Sequence, residues 1–319
     1  MLKAFTFLIL IGINGQLSAQ ACCSSGAPVA SNLATFSFEG KGLSIRVLND
    51  NIFLNDIVSK STVLDNSTRK RITRTLMGRV SYTFEQKWSV IGLFPMVWQK
   101  EEIRNNGNSF DNSSSGFGDI ILIGRYQPIK NFSTGLAFSV GVKFGNGVND
   151  NKDELTGLAL NPDLQPGSGS EDGLFIVQFD QVISSDWWIH FFVNYRLTSE
   201  SSRFNNQLSY KFGNEIQAYF GISKPLVIYK ITFSPSIYLR TRYAGYDETN
   251  GFKTPNTGGY WFHVMSQLQF DINPQMGFDI RTEFPLYRIL DGTQLTTSFG
   301  FRLAFYYHVN NQSKPLNEF

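Results

Sequence analysis

Along most of the chain, apolar and polar residues alternate with period two. The stretch Thr296–Val309, TTSFGFRLAFYYHV, is the clearest case. Phe299, Phe301, Leu303, Phe305 and Tyr307 take every second position, with Ser298, Gly300, Arg302, Ala304, Tyr306 and His308 between them. This pattern predicts a strand with one aromatic face and one small, polar or charged face. Similar alternation predicts eleven strands before it, from GLSIRVLN near Leu43 to Asn49 through TLMGRVSYTF, WSVIGLFPMVWQ, DIILIGRYQPI, STGLAFSVGVKF, LFIVQFDQV, WWIHFFVNYRL, LSYKFGNEIQAYFGI, YKITFSPSIYLRTRY and YWFHVMSQLQF to MGFDIRTEFPLY. Beyond the first residues no segment shows a helical period.

The connections alternate too. EQK, PIKN, SSD, SKPLV and INPQ are short, whereas most of the intervening ones are longer and polar, such as EEIRNNGNSFDNSSSG and the run from Gly145 to Gly173. Short turns at one end and long loops at the other are the pattern of an outer-membrane barrel. The predicted fold is therefore all-β, an antiparallel up-and-down transmembrane barrel of about twelve strands. The even strand count puts both termini on the short-turn, periplasmic side. Trp88, Trp98, Tyr82, Tyr195, Tyr243 and Tyr260 fall near strand ends, where aromatic girdles sit. A soluble sandwich has no reason to alternate its loop lengths.

Composition sharpens this picture. Of 319 residues, 17% are charged, below the usual quarter, while 29 Phe, 13 Tyr and 28 Gly suit amphipathic strands with tight turns. A net charge of +2 gives no reason to expect nucleic acid as a partner. Lys3, the short apolar run Phe5–Ile13 and Ala19-Gln20-Ala21 read as a secretory signal. The expected layout is a signal peptide at 1–21, a periplasmic or lumenal segment at 22–41, the barrel at 42–309 and a tail at 310–319. The last strand also resembles the signal read by the barrel-assembly machinery, with Ser298, Gly300, Leu303 and Phe305 in the pattern, although NNQSKPLNEF follows it. That machinery and outer-membrane lipid are the expected partners, along with a small-molecule solute.

Three stretches resemble a family of bacterial outer-membrane barrels described as transporters or as proteins of the meta-pathway of phenol degradation. SGFGDIILIGRY (Ser115–Tyr126) is similar to a strand opening of that family. GVKFGNG (Gly141–Gly147) sits where the family has a Lys-rich turn but lacks its Pro and Thr, and LNPDLQPGSGSEDG (Leu160–Gly173) is similar to a family loop. The QACCSSGAP start resembles N-termini of such proteins from Bacteroidota. The resemblance implies a channel or transporter-like barrel in a Gram-negative outer membrane; it does not imply an enzyme.

Charges are costly against lipid, so the alternation assigns them to the lumen. The expected lumen-lining residues are Arg46, Arg79, Arg125, Lys143, Asp180, Arg196, Lys230, Arg240, Arg242, Asp279, Arg281, Glu283 and Arg302, with Lys211, Asp119 and Glu215 on the same faces. Cations outnumber acids about two to one in this set. Two readings stand: a water-filled lumen that favours anions, or a paired network that fills a narrow barrel. His190 and His263 also face the lumen, but at different heights on separate strands, and no nucleophile–base–carboxylate set emerges. NDNKDE (Asn149–Glu154) lacks the Gly and Glu of a calcium loop and reads as a solvated acidic loop. Cys22 and Cys23 are adjacent, and lipidation at Cys22, a vicinal disulfide and a weak metal site stay open as roles. No cofactor and no catalysis are expected. The expected function is passive passage of a small solute, anionic or aromatic. A structural or surface-binding barrel with a filled lumen is the alternative, and an outer-membrane hydrolase comes last.

Overall fold

The computed structural model describes Gln20, Ala21 and residues 41–309, apart from 66–67, 86, 106–107, 185, 202–208 and 230. Cys22, Cys23, Lys230, the tail at 310–319 and the rest of the expected signal peptide lie outside the described residues. Twelve antiparallel strands form a closed barrel with almost no helix. They are β1 (Gly42–Ser59), β2 (Arg69–Phe84), β3 (Trp88–Asn105), β4 (Ile121–Lys130), β5 (Thr134–Lys143) and β6 (Asp172–Ser184). The second half comprises β7 (Trp187–Leu197), β8 (Glu215–Ser223), β9 (Ile231–Ala244), β10 (Gly259–Asn273), β11 (Met276–Leu290) and β12 (Thr293–Val309). Each strand pairs with the next, and β12 closes on β1 from Leu43↔Val309 to Ser59↔Thr293. Closure leaves no open sheet edge, which a membrane-spanning sheet requires.

The two faces are inverted relative to a soluble protein. On β12, Leu303, Phe305 and Tyr307 are exposed on the outside, while Arg302, Ala304 and Tyr306 are buried inside. On β2, Leu76, Val80, Tyr82 and Phe84 point out, and Arg71, Thr73, Thr75, Arg79, Ser81 and Thr83 point in. The girdle candidates Trp88, Trp98, Tyr195, Tyr243 and Tyr260 are likewise exposed on the outer face. Each polar inward residue thus sits where water or another polar group can satisfy it, and each outward one matches hydrocarbon.

The strands run further than the apolar alternation showed. β1 continues past Asn49 to Ser59, and Thr62–Leu64 folds back on it. β3 continues to Asn105, and Asn108–Phe117 returns along it from Asn105↔Asn108 to Met96↔Phe117. Two connections that read as loops are therefore largely hairpins. Beyond the lipid both faces meet water, so the ladder continues without any apolar face to mark it. Lys211 is a correction. It does not line the barrel, because β8 starts at Glu215, and Tyr210–Lys211 joins Glu200–Ser201, Glu248–Thr249 and Phe252–Lys253 in a small separate sheet at the long-loop end. The chain turns at Gly213, where a Cβ would lie 2.0 Å from the Gly245 carbonyl oxygen.

Candidate functional site: the barrel interior

At the long-loop end, the connection between β5 and β6 folds inward over the mouth and buries Asp163, Leu164, Gln165, Ser168 and Ser170. Arg71 on β2 holds it through the carbonyl of Asp163 (3.2 Å) and its carboxylate (3.1 Å), and Arg71 also pairs with Glu101 on β3 at 2.8 Å. The three stretches quoted for the family resemblance meet here. Asp119 and Asp172 flank the Lys143 ammonium at 2.8 and 3.1 Å. Lys143 also donates to the Ser170 carbonyl at 3.1 Å and to the Ser168 hydroxyl. Asp119 accepts from the Ser168 hydroxyl (2.6 Å) and amide (2.9 Å) and from the Gly147 amide (3.0 Å). The backbones approach so closely that a Cβ on Gly147 would lie 2.6 Å from the Gly118 carbonyl carbon and 2.8 Å from the Gly167 Cα. At Gly145, Gly147 and Gly167 a larger residue would meet backbone, so nothing bigger fits there.

From this knot a belt of alternating charge runs around the inner wall, one residue per strand. Lys143 on β5 meets Asp172 on β6, Arg196 on β7 lies 4.0 Å from Asp172 and 3.9 Å from Glu215 on β8, and Arg242 on β9 lies 2.6 Å from Glu215. Arg242 also covers the Trp261 ring of β10 at 4.5 Å. On the same side lie Arg302–Asp50 at 2.6 Å and Glu283, which sits between Arg240 (3.0 Å) and His263 Nδ1 (2.7 Å). Asp50, Arg240, Arg281, Glu283 and Arg302 line a cavity of about 30 Å³, room for about one or two waters.

Below the charges comes an apolar ring. Leu48, Met77, Leu93, Ile121, Ile123, Leu174, Ile176, Phe192, Tyr219, Tyr238, Met265 and Ala304 form one cluster with Ile91, drawn from ten of the twelve strands. The sequence hid this ring, because strands such as IILIGRY and LFIVQF are apolar on both faces and lose their period. Toward the short turns the wall is polar again. Arg46 pairs with Asp279 at 3.4 Å, Arg79 and Arg125 are buried at this level, and Arg281, which also lines the cavity above, holds Gln267 by two nitrogens (3.0 and 2.7 Å). Here Asp180, His190 and Ser223 form a hydrogen-bonded chain with links of 2.7 and 2.8 Å.

The structure thus spreads the sequence-derived residues over two polar tiers separated by the apolar ring. Arg46, Arg79, Arg125, Lys143, Asp180, Arg196, Asp279, Arg281 and Arg302 are buried inside, and Arg240, Arg242 and Glu283 are half-buried on the same face. The cationic excess narrows in the structure. Arg71 and Arg288 join the inward cations, but four acids that the alternation did not assign, Asp50, Glu101, Asp163 and Asp172, also face inward. Asp50 and Glu101 lie beyond the predicted ends of their strands, and the other two lie in or beside the long loop. The spacing along the chain gave no sign that Asp180, His190 and Ser223 meet; they stand one per strand on β6, β7 and β8, a relation that only strand register reveals.

At the long-loop end Asp247 and Asp153 are perturbed in opposite directions. Burial pushes Asp247 above the usual carboxylate range, against the hydrogen bonds it accepts from Tyr210 (2.5 Å) and the Gly213 amide (2.8 Å). Asp153 is held below that range by the amide and hydroxyl of Thr156 and the amide of Leu155, which cap its own turn.

No family model matches the chain, and no curated protein matches it. Among solved structures, the COG4313 outer membrane channel from Pseudomonas putida F1 is similar over 86% of this chain and 98% of its own, with a TM-score of 0.67 at 12% identity. The transport unit of the autotransporter AIDA-I from Escherichia coli is similar over 88% and 95%, with a TM-score of 0.50 at 10% identity. At such identities the likeness is one of fold: this chain has the fold of an outer-membrane β-barrel.

Proposed function

We propose that this chain is a channel of a Gram-negative outer membrane for the passive passage of a small solute. The observation that carries this reading is the inverted wall: lipid-compatible outside, and inside two polar tiers flanking an apolar ring. Exposed aromatics at both ends of the strands suit outer-membrane lipid, the short-turn end facing the periplasm. The polar tiers offer partners to a charged group, and the apolar ring selects for a hydrophobic body. An aromatic molecule with an anionic group fits both. The fold likeness to an outer membrane channel agrees, and the Ser115–Tyr126 and Leu160–Gly173 stretches support membership of the transporter-like family described above. Export by the N-terminal signal and insertion through the last strand by the barrel-assembly machinery belong to the same reading.

A second reading has its own support. Nearly every inner charge described has a partner, and the long loop packs over the mouth, as a structural barrel with a filled lumen requires. Single-channel recording of the refolded mature protein in a planar bilayer, under a salt gradient, separates the two. Steady current with an anion-biased reversal potential is the expected result. A folded, heat-modifiable barrel that never conducts would establish the filled barrel instead.

A further inference from the structure

Inside the barrel, near the short-turn end, Asp180, His190 and Ser223 stand on neighbouring strands. His190 faces Asp180 directly across the β6–β7 ladder, and across the β7–β8 ladder it faces Gly221, two residues before Ser223. Period two sends all three side chains inward. His190 Nδ1 lies 2.7 Å from Asp180 Oδ1, and His190 Nε2 lies 2.8 Å from Ser223 Oγ. The other Asp180 oxygen accepts from Gln178 Nε2 at 2.8 Å. An ionised carboxylate only accepts hydrogen bonds, so Nδ1 of the neutral ring carries the proton. Nε2 then presents its lone pair to the serine hydroxyl. This is the relation of nucleophile, base and orienting acid that activates a serine.

Aromatic rings flank the imidazole. Trp188 stacks on His190 at 6.5 Å with an interplanar angle of 6°, and Tyr238 lies on its other flank at 5.8 Å. The Tyr238 ring lies so close over Gly221 that a Cβ there would come within 1.9 Å of it. Ser236, the ladder partner of Ser223, offers a second buried hydroxyl beside the nucleophile. A purely structural polar chain would need hydrogen bonds, but it would not need an imidazole between a carboxylate and a serine.

We propose that Ser223 is an activated nucleophile that takes acyl groups from small carboxylic esters, aromatic ones foremost, reaching the lumen from the short-turn side. Ser223 Oγ bonds to the ester carbonyl carbon while its proton passes to His190 Nε2. The ester C–O bond breaks, and the departing alkoxide leaves as the alcohol with that proton. Water then attacks the acyl-serine, His190 taking and returning a proton in the same way, and the carboxylic acid is released. Asp180 is a positioning residue that fixes the ring tautomer.

The test uses the full-length protein folded in detergent micelles and a biotinylated fluorophosphonate, with the adduct located by mass spectrometry. The expected result is an adduct on Ser223 that S223A lacks and that forms about a hundred-fold more slowly in H190Q. D180N should slow it as well and alter its pH profile, and hydrolysis of p-nitrophenyl acetate should follow the same order. Heat-modifiability of each variant reports that the barrel is folded. A folded wild-type barrel with no adduct on Ser223, or an adduct that forms equally fast in folded H190Q, would overturn the proposal. Neither result touches the conductance experiment, so the channel reading stands or falls separately.

Discussion

Lys143 shows what single residues do in this wall. Its ammonium is buried between two carboxylates, and its removal leaves both acids facing each other without a counter-charge. Breaking a buried pair from one side costs about 3–5 kcal/mol, much more than an exposed pair is worth. We therefore expect Lys143→Met to lower barrel stability by about that amount, read as the shift in guanidinium midpoint of the refolded protein. By contrast Lys100–Asp111 on the exposed hairpin, also at 2.8 Å, is open to solvent on both sides, and Lys100→Met should leave the guanidinium midpoint almost unchanged.

At the scale of elements, the inward loop and the small sheet at the mouth carry the predictions. The loop is held by backbone-to-backbone contacts at Gly147, Gly118 and Gly167, so Gly147→Val has no room and should dislodge it from the mouth. Higher single-channel conductance than wild type, with the barrel still folded, is the expected outcome. Unchanged current would mean that the loop does not restrict the path. In the small sheet, folding raises the pKa of Asp247, so the folded state binds its proton more tightly than the unfolded chain does. The favourable contribution is full below the unfolded carboxylate pKa and is lost as pH rises through the folded one. Amide protection of Gly213, corrected for intrinsic exchange rate, should therefore be greater at mildly acidic pH than at pH 7. Asp247→Asn should remove that dependence.

For the whole molecule, the inverted arrangement makes neighbouring positions on one strand opposite in tolerance. Leu303 faces out near mid-strand and Arg302 faces in. A charge on the lipid face near the bilayer midplane costs about 2–4 kcal/mol. Leu303→Arg is expected to destabilise the barrel in lipid vesicles by roughly that amount and to lose much of the effect in a thin-chained lipid, where the arginine reaches the interface. An equal loss in both lipids would argue that Leu303 contacts protein instead.

Strand number, the inside-out assignment and the alternation of turns and loops were all legible in the chain. Each depends on local chemistry repeated every two residues: Leu303 and Arg302 cannot both face lipid, and only one pleat separates them. The inward placement of Arg46, Lys143 or Arg281 follows from the same rule. Legibility ended wherever one face stopped contrasting with the other. The apolar ring of Ile121, Ile123 and Leu174 disappeared among equally apolar outer residues, and the extensions of β1 and β3 disappeared where both faces are wet. Partnership was decided only by the tertiary structure, because it depends on register across strands. The meeting of Asp119, Lys143 and Ser168, and the chain from Asp180 through His190 to Ser223, join residues whose nearness is set by how the ladders align, and no spacing along the sequence encodes that alignment.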